Sequence, residues 1–161
     1  MEVNNLSKKS MSDNGFTIIE ITVVLLISGL LVCTAGSGIR KGTAFFNLQY
    51  SAQKMAADIR ELQQMALSEE SSQYLIKFDK DYYVMRKTAH PLPVIVANVD
   101  LPPTARIEYN NFPDQTLRLS AKGLPLQGGT ITLRDQVTGK RRYVIIASIT
   151  GRVRVSDQPV Q

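Results

Sequence analysis

An unbroken apolar run, from Phe16 to Ile39, is the feature that most limits how this chain can fold. The run contains 24 residues, and only Glu20 among them is charged. As an α-helix rising about 1.5 Å per residue, a segment of this length spans the hydrocarbon core of a bilayer, which is about 30 Å thick. The run therefore predicts a helix that can cross a membrane.

Glu20 is the unusual residue of this run. A carboxylate within the hydrocarbon costs roughly 2.5–3.5 kcal/mol on insertion scales, so by default it indicates a function. The alternative is a signal peptide or anchor with one stray acid, and the small residues Thr34, Ala35 and Gly36 would suit cleavage there. This alternative is disfavoured because the apolar region of a signal peptide holds only about 7–15 residues.

The only cysteine, Cys33, also lies inside the apolar run. One cysteine cannot form an internal disulfide, so packing alone must stabilise the fold, and we expect Cys33 to act as a small hydrophobic side chain. Lipoprotein processing is disfavoured because Val32 precedes this cysteine, where that signal needs a small residue.

The start of the run resembles the processing site of type IV prepilins and type II secretion pseudopilins. A short polar leader ends in Gly15 and is followed by Phe16, Thr17, two apolar residues and Glu20. The resemblance implies that a membrane-embedded aspartyl prepilin peptidase cleaves between Gly15 and Phe16 and methylates the new amino terminus of Phe16. It also implies that Glu20, then the fifth residue, pairs with the N-terminal ammonium of a neighbouring subunit, because a buried charge is tolerable only when it is paired.

Four segments follow from this interpretation. They are a leader, 1–15, that is removed; a transmembrane or filament-core helix, 16–40; an amphipathic helix, 41–72; and a β-rich exported domain, 73–161. Lys8 and Lys9 of the leader are expected to stay in the cytoplasm, because basic segments next to membrane spans tend to do so. The sequence therefore predicts a single-pass protein of the bacterial cytoplasmic membrane with its C-terminal domain outside the cytoplasm.

After Arg40 and Lys41 the apolar pattern becomes one-sided. Apolar residues then recur at alternating steps of three and four, which predicts one buried stripe on a helix running to about Leu67. The stripe consists of Phe45, Leu48, Ala52, Met55, Ile59, Leu62 and Ala66. Together with the apolar run it predicts a single long helix, whose second half covers a β-sheet.

The rest of the chain has the composition of strands. Residues 73–87 predict a hairpin that turns at Asp79–Asp81, because Tyr74, Ile76 and Phe78 alternate with less apolar positions. The proline-containing stretch 88–103 is expected to be an extended connection with a short strand at 94–97. Further strands are predicted at 105–109, 116–120, 130–134, 141–147 and 152–155. This order predicts an α+β fold in which antiparallel sheets pack on the long helix, as in type IV pilins.

The same order is similar to that of H-type minor pseudopilins and FimT-like minor pilins, and more loosely to that of a competence pseudopilin. The matching segments are AADIRELQQMAL before the first hairpin, GGTITLRD, and the closing TGRVRV. These segments do not distinguish a secretion system from a DNA-uptake system.

The positive charge of the chain is concentrated in its C-terminal part. Residues 73–161 contain 13 Lys and Arg and 7 Asp and Glu. In an extended strand Arg152 and Arg154 would project from one face, about 6.8 Å apart, with Val153 and Val155 facing the core. Two such guanidinium groups can each bind a backbone phosphate. The candidate DNA-binding residues are Arg152, Arg154, Lys140, Arg141 and Arg142; the alternative is a solvated basic strand or one that contacts an acidic neighbour.

The sequence contains no constellation typical of an enzyme or a metal site. His90 is the only histidine and is expected to be an ordinary loop residue, and the acidic pairs Glu69–Glu70 and Asp79–Asp81 are expected at a helix end and a turn. We therefore expect no catalytic residue, metal or cofactor.

Two functions remain. One is a minor pilin-like subunit of a DNA-uptake filament, slightly favoured by the basic tail; the other is a minor pseudopilin of a type II secretion system. Both imply the same partners, namely other pilins or pseudopilins, the prepilin peptidase, the inner-membrane assembly platform and, before assembly, the membrane. Only the first adds double-stranded DNA.

Overall fold

The computed structural model describes residues 15–69, 73–89 and 92–159. The predictions for the leader before Gly15, for Glu70 and for His90 lie outside these residues. The chain divides into two compact units, Met1–Gly38 and Ile39–Gln161. The compact unit that carries the sheets begins at Ile39, because the second half of the helix is part of its core.

One continuous helix, α1, extends from Ile18 to Ser68. Within it one segment is long and apolar enough to cross a membrane, and none of that segment is buried within the chain. The exposed side chains include Ile18, Val23, Leu26 and Leu30. The predicted single long helix, apolar all round in its first half, is confirmed.

The second half of α1 buries one face against the sheets. Six of the seven residues predicted for the stripe are fully or almost fully buried, namely Leu48, Ala52, Met55, Ile59, Leu62 and Ala66. The exception is Phe45, which is half-buried, while its neighbour Ala44 is buried instead. Phe45 therefore lies at the margin of the buried face, where its ring remains accessible to side chains from the sheets.

Within the described residues, eight strands form two four-stranded antiparallel sheets. The strands are β1 Tyr74–Phe78, β2 Tyr82–Lys87, β3 Val94–Asp100, β4 Ala105–Asn110, β5 Thr116–Leu119, β6 Gly129–Asp135, β7 Arg141–Ile146 and β8 Val153–Ser156. The order is β3-β2-β1-β5 in the first sheet and β4-β6-β7-β8 in the second. The chain crosses between the sheets three times, since β4 lies in the second sheet, β5 in the first, and β6 again in the second.

The predicted α+β fold is confirmed, and β3 is the main difference in detail. It continues to Asp100 instead of ending near residue 97, because it pairs with β2 along its length, from Lys87↔Val94 to Tyr82↔Asp100. The β1–β2 hairpin has the predicted turn, and Tyr74, Ile76 and Phe78 of β1 are buried.

The buried cluster includes side chains of α1 and of both sheets. Its members lie between Leu48 and Val153, all in the second unit. We therefore treat residues 39–161 as a fragment that folds on its own, because this range contains the whole described core.

Candidate functional site

The N-terminal candidate site begins just before the helix. Gly15 has no described atom within 4 Å of where a Cβ would lie, and the side chain of Phe16 is 81 % exposed. Neither crowding within the chain nor a left-handed backbone requires glycine at position 15. The fold therefore does not explain why these two residues are glycine and phenylalanine.

The backbone N–H of Glu20 takes part in the N-terminal cap of α1, a local contact that was not predicted. The hydroxyl of Thr17 accepts a hydrogen bond of 3.3 Å from the backbone N–H of Glu20. Because Thr17 precedes the first helical residue and Glu20 is the third, this is the spacing of a capping box. A glutamate in the first turn is also favoured by the helix dipole. Capping accounts for an acid or amide at this position, but glutamine would serve as well.

The C-terminal candidate site is held by α1. Arg60 Nη2 donates a 2.8 Å hydrogen bond to the carbonyl of Val153, and Gln63 Nε2 donates one of 2.8 Å to the carbonyl of Gly151. Val153 is buried, whereas Arg152 and Arg154 are exposed, which agrees with the predicted alternation. The two arginines therefore project from the sheet face opposite α1.

Gly151 has a structural reason to be glycine. Its φ of +65° is a left-handed conformation that residues with a Cβ rarely adopt, and a Cβ would lie 3.1 Å from Gln63 Nε2. In the Gly-Arg-Val-Arg pattern, the left-handed turn thus explains the glycine at 151, and burial explains the valine at 153. Only its two arginines have no such explanation.

Arg141 lies on the same face as Arg154 but is neutralised. A β-bulge between Ile107 and Tyr109 interrupts the pairing of β4 with β6, and Glu108 at this bulge accepts hydrogen bonds of 2.5 and 2.9 Å from Arg141 Nε and Nη2. Glu108 also pairs with Arg134 Nη1 at 3.1 Å. The hydrogen bond from Arg141, together with the nearby Arg134, lowers the pKa of the Glu108 carboxyl, so this carboxylate remains charged and offsets part of the basic surface.

Lys140 and Arg142 are directed toward α1. The Nζ of Lys140 lies 5.0 Å from the centroid of the Phe45 ring, and Arg142 Cζ lies 5.7 Å from the same centroid. Arg142 also donates a 3.1 Å hydrogen bond to Gln49 Oε1 and pairs with Asp157. These two cations fasten β7 to the helix, so the structure does not bring them together with Arg152 and Arg154.

Of the five residues predicted to bind DNA, Arg141 and Arg142 pair with carboxylates. Lys140, Arg152 and Arg154 form no ion pair with a carboxylate of the described residues, but Lys140 lies against the Phe45 ring. The sequence analysis did not single out three further cations, Lys77, Arg86 and Arg118, which lie on the first sheet. The period-two alternation of β1 and β5 already places Lys77 and Arg118 on their outward faces, so this signal was present in the sequence.

The remaining candidates have structural roles. Among the residues that the structure describes, no group of three or more His, Cys, Asp or Glu is placed to hold a metal ion. At the β1–β2 turn, Asp79 Oδ1 accepts a 2.7 Å hydrogen bond from the backbone N–H of Lys80, and Asp81 pairs with Arg106.

This chain is similar in structure to a known protein, although its sequence alone matches none of those compared. The sequence matches no family model and no curated protein. The structure is similar to the crystal structure of the type IV minor pilin FimU of Pseudomonas aeruginosa strain PAO1, with a TM-score of 0.52 and 18 % sequence identity, over 68 % of this chain and 92 % of that one. The chain therefore has a type IV pilin-like fold.

Proposed function

We propose that this chain, with its type IV pilin-like fold, is a minor pilin or pseudopilin subunit of a type IV filament-type machine. The observation that carries the proposal is the exposed apolar first half of α1, whose lone carboxylate, Glu20, lies five residues after Gly15. A soluble domain does not need such a segment, whereas a subunit that moves from a bilayer into a filament core uses it in both places.

In this proposal the charge of Glu20 favours the assembled filament over the free subunit in the bilayer. In the bilayer its carboxylate is costly, and in the filament it pairs with the N-terminal ammonium of Phe16 of a neighbouring subunit. The ammonium arises when the prepilin peptidase cleaves after Gly15, and the inner-membrane assembly platform then inserts the subunit into the filament. Before assembly the chain is a single-pass protein of the bacterial cytoplasmic membrane with its sheets outside the cytoplasm.

Processing provides the first test. Intact-mass analysis of the chain extracted from membranes should show a polypeptide that begins at Phe16 and carries one added methyl group. The reason is that Gly15 and Phe16 are exposed and precede the helix, where a protease can reach the backbone. Deleting the host's prepilin peptidase provides the control and should restore the mass of the 161-residue chain. A chain that starts near Gly36 instead would contradict the proposal.

For the machine itself, we propose DNA uptake. The supporting observation is that Arg152 and Arg154 are exposed, lie on one face and form no ion pair among the described residues. Such guanidinium groups fit the phosphates of double-stranded DNA. The second candidate is a minor pseudopilin of a type II secretion system, in which these arginines contact an acidic neighbouring subunit instead.

Replacing both tail arginines tests this choice. In the fragment 39–161, Arg152→Gln with Arg154→Gln should weaken duplex DNA binding without sequence preference and lower the slope of log Kd against log salt by about 1.8, or about 0.9 per lost phosphate contact. The melting temperature should hardly change, because surface substitutions usually stay within about 0.5 kcal/mol. Fluorescence anisotropy at several salt concentrations measures the slope.

The matched control is Arg152→Lys with Arg154→Lys, which keeps both charges and should keep the slope. Loss of Arg141 or Arg142 is expected to add little, since Glu108 and Asp157 already pair with them. An unchanged slope in the glutamine variant would assign the two arginines to a subunit interface and favour the secretion system.

A further inference from the structure

The outer face of the first sheet has a row of cations that the sequence alone did not reveal. Arg86 of β2 and Arg118 of β5 both lie opposite Leu75 of β1, so the three residues form one row across three strands. Lys77 lies two residues along β1 from Leu75 and therefore on the same face. With strands about 4.8 Å apart, the Cα atoms of Arg86 and Arg118 are about 10 Å apart.

These three cations differ from Arg134 and Arg141 of the second sheet because no carboxylate neutralises them. None of them forms an ion pair with a carboxylate in the described ranges 15–69, 73–89 and 92–159, whereas Arg134 and Arg141 share Glu108. The Nε of Arg86 is buried and has no hydrogen-bond partner in that same part of the chain. A buried donor without an acceptor is costly, by about 1–3 kcal/mol, and movement of the Arg86 side chain to an acceptor on another molecule would relieve that cost.

The row continues toward the tail arginines of the second sheet. Arg118 lines a shallow pocket together with Leu126 and Gln127. Arg154 lines a second pocket, and Leu126 and Gln127 belong to that one as well. The loop between β5 and β6 therefore lies between the cations of the first sheet and the tail arginines. We call the surface formed by these cations the cationic track; it consists of Lys77, Arg86, Arg118, Arg152 and Arg154.

We propose that the cationic track binds the phosphate backbone of double-stranded DNA across both sheets, so that the tail arginines are one end of a larger site. This inference rests on the proposed function in DNA uptake. The separation of about 10 Å between Arg86 and Arg118 corresponds to about three nucleotide steps of about 3.4 Å measured along the axis of a duplex. A polymer with regularly spaced charges can therefore contact several of these cations at once.

The face suits a polyanion better than an apolar protein partner. Between the cations, Val84 is only 7 % exposed and Leu75 is half-buried, so little apolar surface is available near the centre of the sheet. The exposed Ile95, opposite Arg86, lies on the edge strand β3. The bases of single strands bind mainly by stacking on aromatic side chains. The row of Arg86, Leu75 and Arg118 contains none, and Tyr82 of the same face lies at the opposite end of β2 from Arg86. The duplex, which is recognised through its phosphates, is the occupant that this surface fits.

The experiment measures duplex DNA binding by the fragment 39–161. Arg86→Gln with Arg118→Gln should weaken binding about tenfold at low salt and lower the slope of log Kd against log salt by about 1.8. The control, Arg40→Gln with Lys41→Gln, removes the same charge from α1 and should leave the slope unchanged. Asp114→Asn removes the carboxylate in the Arg118 pocket and should strengthen binding by about twofold.

Melting temperatures check that each variant is folded. If Arg86→Gln unfolds the fragment, Lys77→Gln with Arg118→Gln replaces it, because both side chains are exposed and surface substitutions are usually well tolerated. A loss of slope in this second pair would support the track in the same way.

The outcomes separate this inference from the proposed function. If the tail variant loses slope and the first-sheet variants behave like the control, the site ends at the tail and the track is wrong. If the native fragment does not bind duplex DNA, both the track and the role in DNA uptake are wrong, but the filament proposal stands. Binding to vesicles of equal parts phosphatidylcholine and phosphatidylglycerol that depends on Arg86 and Arg118, without such dependence for DNA, would assign the face to a lipid surface and overturn the track.

Discussion

Glu20→Leu is expected to exclude the subunit from filaments while leaving the fold of residues 39–161 unchanged. Glu20 lies in the first compact unit, and the described core lies entirely in the second. Leucine makes the chain more stable in the bilayer, since it removes a charge that costs roughly 2.5–3.5 kcal/mol there, and it removes the partner of the neighbour's ammonium. Both changes favour the membrane over the filament.

The measurement compares the native and variant subunits in sheared filaments and in membranes by immunoblot, with thermal melting of the detergent-extracted chain as the check on folding. We expect equal amounts in the membrane and none in the filament. Normal incorporation of Glu20→Leu would show that Glu20 is not the pairing charge.

Glu20→Gln separates pairing from helix capping. Glutamine can still complete the capping box with Thr17, but it carries no charge. If the charge is what assembly requires, Glu20→Gln is excluded from filaments like Glu20→Leu. If Glu20→Gln assembles normally and Glu20→Leu does not, Glu20 acts through the helix end, and the proposed ion pair is wrong.

The second large effect concerns Asp58, which joins α1 to the first sheet. Asp58 is 6 % exposed and accepts hydrogen bonds of 3.2 Å from Lys54 Nζ and a further one from the hydroxyl of Tyr83, which is completely buried. Burial and the hydrogen bond to Asp58 raise the pKa of Tyr83, so this hydroxyl remains a donor. Asp58→Ala leaves it without an acceptor and should cost about 2–4 kcal/mol of unfolding free energy.

Chemical denaturation of the fragment 39–161 measures this loss. Asp58→Asn keeps an acceptor for Tyr83 and should lose less than Asp58→Ala. In a double-mutant cycle, Tyr83→Phe with Asp58→Ala should cost less than the sum of the two single changes. The reason is that Asp58→Ala alone leaves the Tyr83 hydroxyl unpaired, whereas the double variant no longer contains that hydroxyl. A loss under about 0.5 kcal/mol for Asp58→Ala would mean that the bond does not hold the helix to the sheet.

The sequence determined the features that depend on local period and length. The run from Phe16 to Ile39 and the stripe from Leu48 to Ala66 predicted one long helix, because helical periodicity and apolarity are read from neighbouring residues. The β1–β2 hairpin and the outward direction of Arg152 and Arg154 followed from alternation in the same way. The sequence also placed Gly15, Phe16 and Glu20 next to one another, since that site is a contiguous segment.

Only the tertiary structure decided which strands share a sheet and which cations remain unpaired. Alternation shows that a side chain faces outward, but not which strand lies beside it, so the transfer of β5 to the first sheet was not predictable. Arg141 forms an ion pair with Glu108, which lies 33 residues away along the chain, and Arg142 donates a hydrogen bond to Gln49, which lies 93 residues away. Because such ion pairs and hydrogen bonds form between residues so far apart in sequence, only the fold could divide the predicted basic cluster of residues 140–154 into paired and unpaired cations.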